Sequence, residues 1–135
     1  MSMRTYGIET KGVVLRYGEL VDLLKANKNT IKGLSSEEID NEEYELIDFT
    51  YDIDFATYYS EFDGYIDLEQ SGEREYFEYE DIILLELKKN NLFEKYENQE
   101  EIYDELIDTL KQVGINVDRD YIVNHYGYIN GTETS

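Results

Sequence analysis

Apolar or aromatic residues alternate with acidic residues through much of the stretch 46–79. A period of two is the repeat of a β-strand, whose successive side chains point to opposite faces of a sheet. The alternation is strictest at residues 46–55, which we predict to be a strand with one face against a core and an acidic face in water. Its apolar positions are Ile47, Phe49, Tyr51, Ile53 and Phe55, and they alternate with Asp48, Thr50, Asp52 and Asp54.

The alternation continues over residues 58–79, with turn-forming residues between its parts. Phe62-Asp63-Gly64 predicts the turn of a β-hairpin, and Ser71-Gly72 predicts another turn before a strand at 73–79. Consecutive strands of this kind predict an antiparallel meander with an acidic, tyrosine-rich outer face.

Strand and helix patterns also precede this stretch. Residues 4–16 predict a strand, or a hairpin turning at Thr10-Lys11-Gly12. A stripe of apolar residues at 20–24 predicts a helix, which the polar stretch 27–33 ends. Ser35 followed by Glu38 has the spacing of a capping box and predicts a short acidic helix.

The C-terminal part contains one apolar run of ambiguous structure and two segments with clearer patterns. The apolar run 82–87 fits a buried helix or a buried strand, and the acids before it and lysines after it favour the helix. Residues 99–113 predict a helix with Asn98 as N-cap and Gly114 as its end. Residues 121–129 predict a last strand, and 131–135 a frayed tail.

Strands grouped in the middle, with helices before and after them, predict an α+β fold. We expect three to five antiparallel strands packed against two to four helices. A length of 135 residues predicts one domain over 1–135, with residues 1–3 as a tag or start-site remnant. Without cysteine there is no disulfide or thiolate chemistry, and no apolar run is long enough to span a membrane. We therefore expect a cytoplasmic protein.

The formal net charge of −20 is concentrated in one block. Residues 1–36 have a net charge of +3, residues 37–86 a net charge of −18, and residues 87–135 a net charge of −5. A halophilic surface would spread its carboxylates over every face, and solubility alone needs far less charge. The concentration of like charge, which costs stability, therefore indicates a function for this block.

Catalytic and metal-binding motifs are weak in this sequence. The single histidine, His125, lies in an aromatic stretch and is interpreted as structural. Residues 59–70 match an EF-hand loop in part, but Tyr59 and Gln70 occupy the two positions where calcium needs carboxylates. We expect no catalytic residues, no metal and no cofactor.

The sequence instead predicts a protein that binds a basic partner. A rigid row of carboxylates presents negative charge as a nucleic acid does, and tyrosines are frequent interface anchors. We expect an inhibitor that mimics DNA or RNA and blocks a basic nucleic-acid-binding protein or nuclease, by physical analogy with anti-CRISPR, anti-restriction and toxin-immunity proteins. Direct binding to nucleic acid is not expected, because phosphates would be repelled. The predicted contact residues are Asp48, Asp52, Asp54, Glu61, Asp67, Glu69, Glu75, Glu78, Tyr58, Tyr59, Tyr65 and Tyr76.

Two other functions stay open on the sequence alone. The chain could be a structural or regulatory adaptor whose acidic face is only a solvated surface and whose binding site lies elsewhere, for example in the basic N-terminal third. It could also be an enzyme that uses a pair of carboxylates, although a chance pair is expected among 32 acidic residues.

Overall fold

The computed structural model describes residues 4–42, 48, 49, 53, 55–87 and 99–134. Within these residues the predicted α+β class is confirmed, with four antiparallel strands and four helices. The elements in chain order are β1 (Thr5–Arg16), α1 (Tyr17–Ala26), α2 (Ser36–Asp40), β2 (Ala56–Leu68), β3 (Arg74–Leu85), α3 (Gln99–Gln112), α4 (Arg119–His125) and β4 (Tyr126–Thr134).

The four strands close into a ring in the order β1-β3-β2-β4, so the strand order is not that of a sequential meander. Among the four described strands, only β2 and β3 are both sequence neighbours and hydrogen-bonded neighbours, and the predicted turn at Ser71-Gly72 joins them. β1 pairs with β3 through residues 13–16 and with β4 through residues 5–13. Residues 63–68 of β2 pair with β4 and complete the ring.

Two apolar clusters form the core, one on each side of the strand layer. The first lies inside the ring and includes Val14, Phe62, Phe77 and Leu84. The second lies between the outside of the ring and the helices, and it takes in Val13, Leu15, Ile83 and Leu85 from the strands. Adjacent residues of β1 and β3 therefore enter different clusters, as the period of two requires.

Glycine pairs allow the backbones to approach closely where the ring closes. Gly64 lies opposite Gly131, and Gly12 lies opposite Gly127. A Cβ at Gly131 would come within 2.6 Å of the Phe62 ring, and a Cβ at Gly12 within 2.6 Å of the Leu85 carbonyl oxygen. These glycines thus leave room for the large side chains inside a narrow ring.

The same glycines explain two wrong turn predictions. Thr10-Lys11-Gly12 lies inside the continuous strand β1, and Phe62-Asp63-Gly64 lies inside β2. In place of the second turn, β2 has register shifts between Tyr59 and Gly64. Gly131 to Thr134, expected to fray, are paired with β1 at the end of β4, and Ser135 is outside the described residues.

The strand predicted at residues 46–55 is wrong where the structure describes it. Asp48 and Phe49 are helical, and Ile53 and Phe55 lie in bends or turns outside any strand. Phe49, Ile53 and Phe55 are nevertheless buried in the cluster beneath the helices. Their apolar character therefore predicted burial correctly, while the regular spacing predicted the wrong backbone. Asp52 and Asp54 lie outside the described residues.

Two further segments differ from the prediction in the kind of element. The run Ile82 to Leu85 continues β3 and is not helical, because one side of it faces the ring interior and the other faces the helices. Residues 121–125, predicted as strand, are the end of α4, and the strand begins at Tyr126.

The predicted helices α1, α2 and α3 are confirmed. The Oγ of Ser35 accepts a hydrogen bond from the Glu38 backbone N–H at 3.1 Å, as the capping-box spacing predicts. Gly114 follows α3 with a φ of 86°, a left-handed conformation that favours glycine at a helix end. The predicted N-cap, Asn98, is outside the described residues.

Candidate protein-binding surface

Residues 56–85, which comprise β2, the turn after it and β3, form a two-stranded antiparallel segment that we call the acidic ribbon. It contains nine acidic residues and one basic residue, Arg74. Most of the predicted contact residues lie on it, so the β2–β3 pairing gathers them on neighbouring strands. Asp48 is exposed in a helical segment and does not belong to the ribbon.

Arg74 neutralises Asp67 on the outer side of the ribbon. Its Nε and one terminal nitrogen donate to the two carboxylate oxygens of Asp67 at 2.6 Å and 3.0 Å. These hydrogen bonds lower the pKa of Asp67 and raise that of Arg74. The guanidinium also lies 3.8 Å from the centre of the Tyr65 ring. Asp67 and Tyr65 are therefore engaged within the chain.

Arg16, at the end of β1, pairs with two carboxylates of β3. It contacts Glu80 at 3.2 Å and Glu75 at 3.3 Å, and it donates to the Tyr76 carbonyl at 3.1 Å. Its guanidinium lies 4.3 Å from the centre of the Phe77 ring. Lys11 of β1 reaches Glu69 at 3.2 Å. Basic residues of the N-terminal third thus neutralise part of the ribbon, including the predicted contact residues Glu69 and Glu75.

Five acidic residues of the ribbon make no ion pair with any residue that the structure describes. Three of them lie at or beside the irregular part of β2 and β3, where the strands shift register. The Asp81 carboxylate accepts a hydrogen bond from the Glu61 backbone N–H at 3.1 Å. A net negative charge therefore remains on the ribbon after its internal pairs are formed. The five residues are Glu61, Asp63, Glu73, Glu78 and Asp81.

The four predicted tyrosines have different surroundings. Tyr58 packs against the cluster beneath the helices and Tyr59 against the ring interior. Burial raises the pKa of Tyr58, and the negative charge of Asp81 adds to the shift. Burial also raises the pKa of Tyr59, and the negative charges of Glu86 and Glu133 add to that shift. Tyr76 is 67% exposed, which leaves its ring available for contacts.

Tyr79 is an exposed aromatic residue that sequence reasoning missed. It is 68% exposed and has a φ of 52°, while Glu61 on the neighbouring strand has a φ of 47°. A left-handed conformation is rare for a bulky residue, and such positions are frequent at functional sites. The spacing of apolar residues along β3 could have indicated this irregular position. Phe77 and Ile82 both enter the ring although they are an odd number of positions apart, which requires an irregular residue between them.

A groove of about 490 Å³ opens where the ring ends, next to residues 6–10 of β1. Tyr6 and Tyr59 line it together with three carboxylates, those of Glu9, Glu86 and Glu133. Thr10 donates a hydrogen bond to Glu86 at 2.7 Å, and the Ser60 backbone N–H donates to Glu133 at 3.3 Å. The groove therefore extends the negative surface from the ribbon to β1 and β4.

His125 lies in a cleft of about 460 Å³ that is lined by residues of α1 and α4. Its Nε2 is 2.7 Å from Glu19, and its Nδ1 is 2.7 Å from the Tyr121 carbonyl oxygen. Its ring stacks on that of Tyr121 with 4.5 Å between the centroids. These contacts join two helices, as expected of a structural histidine.

Among the described residues, no group of three or more histidine or acidic side chains is arranged to hold a metal ion. None of the described helices has the length and apolar character needed to cross a membrane. Comparison with protein-family models, curated proteins and solved structures found no match to this chain. The charges and exposed rings of the ribbon are therefore the features that bear on function.

Proposed function

We propose that this chain is a non-catalytic inhibitor that binds the nucleic-acid-binding surface of a basic cytoplasmic protein in place of DNA or RNA. The observation that carries the proposal is the carboxylate excess on the acidic ribbon. Arg74, Arg16 and Lys11 pair with four of its nine acidic residues. The remaining five have no basic partner among the described residues.

The rigidity of the ribbon makes this excess useful for binding. The backbone that carries the charges is held by strand pairing, so a partner has to order the side chains but not the backbone. The Debye length of about 8 Å at physiological salt leaves neighbouring carboxylates only partly screened from one another. Their combined potential would steer a basic groove toward the ribbon and repel nucleic acid itself. Nucleases, restriction enzymes and CRISPR effectors have grooves of this kind.

The adaptor function is the second candidate, and the internal ion pairs favour it. Asp67, Glu69 and Glu75 were predicted to face a partner, yet each is paired within the chain. In an adaptor the ribbon would be a solvated surface, and the partner would bind elsewhere through less salt-sensitive contacts. The dependence of partner binding on salt therefore separates the two functions.

The test uses the immobilised chain to capture basic nucleic-acid-binding proteins, with duplex DNA as competitor. A fourfold variant, Glu61→Gln, Asp63→Asn, Glu73→Gln and Glu78→Gln, removes four carboxylates that lack ion pairs. We expect DNA to displace the captured protein and the affinity to fall at least tenfold between about 50 mM and 200 mM salt. The variant should bind about tenfold more weakly because fewer charges steer association.

The matched control removes the same charge from the helices. Asp22→Asn, Glu37→Gln, Asp108→Asn and Asp120→Asn change four exposed carboxylates on α1, α2, α3 and α4. If the control weakens binding as much as the ribbon variant does, net charge and not the ribbon attracts the partner. Salt-insensitive binding that DNA does not displace would favour the adaptor and reject the inhibitor.

A further inference from the structure

Three arginines of the chain are bound by the same combination of an aromatic ring and a carboxylate. Arg74 lies over Tyr65 and pairs with Asp67, and Arg16 lies over Phe77 and pairs with Glu75 and Glu80. Arg119 lies 5.5 Å from the Tyr103 ring centre and pairs with Asp104 at 3.3 Å. The fold thus uses one recognition chemistry for arginine at three separate places.

Three of the described lysines are bound differently. Lys11, Lys25 and Lys28 each reach one carboxylate at 3.1–3.2 Å, and none of these three lies over an aromatic ring of the described part of the chain. The difference follows from chemistry. A guanidinium is planar and weakly hydrated, so it can stack on a ring while it donates to a carboxylate, whereas an ammonium is a compact, strongly hydrated charge.

The outer side of β3 carries the same side-chain types, and no described arginine lies over the ring of Tyr76 or Tyr79, although the Arg74 guanidinium also forms a hydrogen bond with the Tyr76 side chain. Tyr76 lies directly opposite Tyr65, the residue whose ring carries Arg74. Glu78 follows it and makes no ion pair with a described residue. Tyr79 comes next, and its left-handed backbone accompanies a ring that is 68% exposed. No cation lies over the ring of Tyr76 or Tyr79 in the part of the chain that the structure describes.

We propose that Tyr76, Glu78 and Tyr79 form a docking site for arginine side chains of the basic partner protein, with a preference for arginine over lysine. This inference rests on the proposed function and adds the chemistry of the contact. Charge complementarity supports the occupant, because Glu78 lies between the two tyrosines on β3 and makes no ion pair with a described residue. Each guanidinium would stack on a tyrosine ring and donate to Glu78, as Arg74 does to Tyr65 and Asp67.

The experiment compares a labelled arginine homopeptide with a lysine homopeptide of the same length by fluorescence anisotropy. Both carry the same charge, so the ratio of their affinities reports recognition beyond charge. We expect the arginine peptide to bind about tenfold more tightly, which two ring contacts would supply. Tyr76→Ala with Tyr79→Ala should reduce the ratio to about one. Because both rings are exposed, circular dichroism of this variant should match that of the wild type.

The control variant is Tyr17→Ala, which removes an exposed tyrosine that lies outside both the ribbon and the groove, and it should keep the wild-type ratio. Equal affinity for the two peptides would overturn the arginine site and leave the proposed inhibitor intact, provided that binding still weakens with salt. A ratio that survives Tyr76→Ala with Tyr79→Ala would also overturn it. Failure of both peptides to bind would contradict the arginine site and the proposed function together.

Discussion

His125 shows how one residue can join two distant parts of this chain. Its two ring nitrogens lie at hydrogen-bond distance from Glu19 of α1 and from the Tyr121 carbonyl of α4. A carbonyl and an ionised carboxylate only accept hydrogen bonds, so both nitrogens carry a proton when both bonds form. The geometry therefore selects the charged imidazolium and a salt bridge with Glu19.

The pKa shifts of the pair agree with this geometry. The hydrogen bond with Glu19 raises the pKa of His125 above its ordinary value of about 6.5, although burial opposes the shift. Burial alone would raise the pKa of Glu19. The hydrogen bonds from His125 and from the Arg16 backbone N–H outweigh it and lower that pKa. Each group thus stabilises the charged form of the other.

The pair predicts a loss of stability as the pH rises above the ordinary pKa of histidine. A histidine whose pKa is raised in the folded state contributes fully below its unfolded pKa of about 6.5, and the contribution is lost as pH rises through the folded pKa. Glu19, with a lowered pKa, contributes above its ordinary range and loses the contribution as pH falls through its folded pKa. We expect the midpoint of thermal unfolding to decline as pH rises through the folded pKa of His125. In His125→Gln this part of the pH dependence should be absent.

The control for this prediction is Lys28→Gln, which removes a cation from an exposed ion pair with Asp40. It should keep the wild-type pH dependence. A His125→Gln protein that still loses stability over the same pH range would contradict the assigned role. From the sequence, a structural role for His125 could be predicted. The identity of its partner could not, because Glu19 is 106 positions away and only the packing of α4 on α1 brings them together.

The register shift in the β2–β3 pair determines which side chains reach the ring interior. Phe77 and Ile82 both enter the interior, and Tyr79 lies between them with a φ of 52°. On β2, Glu61 has the matching role between Tyr59 and Phe62. A left-handed residue with a Cβ costs about 1–2 kcal/mol. Both strained residues, Glu61 and Tyr79, are exposed on the proposed binding surface.

We predict that Tyr79→Gly stabilises the fold, whereas the neighbouring substitution Glu78→Gly destabilises it. Glycine relieves the steric cost at position 79, and this gain exceeds the entropy that glycine adds to the unfolded chain. The net change should be a gain of about 0.5 kcal/mol in the free energy of unfolding. Glu78 does not have a positive φ, so Glu78→Gly relieves no strain. It only adds entropy to the unfolded chain and should lower the free energy of unfolding by about 0.5–1 kcal/mol. Urea unfolding of the two variants measures both, and equal destabilisation would show that position 79 is unstrained.

The elements were predictable where local signals are strong. The leucine stripe of α1, the capping box of α2 and the glycine after α3 each depend on neighbouring residues. The run Ile82 to Leu85 was ambiguous because a strand buried on both faces has no alternation to distinguish it from a buried helix. Residues 46–55 show the converse case. There the alternation is strict, but the described residues Asp48 and Phe49 are helical.

The acidic block of the sequence, residues 37–86, forms one surface of the folded molecule only in part. Its position on β2 and β3 was predictable, since strand alternation separates acidic from apolar residues. Its partial neutralisation by Lys11 and Arg16 was not, because both come from β1. Closure of the ring in the order β1-β3-β2-β4 brings β1 beside β3 and β4. Similarly, glycines that resemble turns in the sequence prove to be the contact points of distant strands.

Closure of the ring leaves no space for a side chain at Gly131. At Gly131 a Cβ would come within 2.5 Å of the Asp63 carbonyl oxygen and 2.6 Å of the buried Phe62 ring. Gly131→Ala should therefore lower the free energy of unfolding by about 2 kcal/mol or more, the usual cost of overpacking a core. Gly7 also lies in the ring, but a Cβ there meets nothing within 4 Å. Gly7→Ala should change stability by no more than about 0.5 kcal/mol.

Thermal unfolding of the two alanine variants measures this difference, and circular dichroism below the transition establishes that each is folded. If Gly131→Ala unfolds at the wild-type temperature, β2 and β4 cannot be in the close contact that completes the ring. The acidic ribbon would then be fixed on one side only, by β1, and the rigid presentation of its carboxylates on which the proposed inhibitor depends would lose its structural basis.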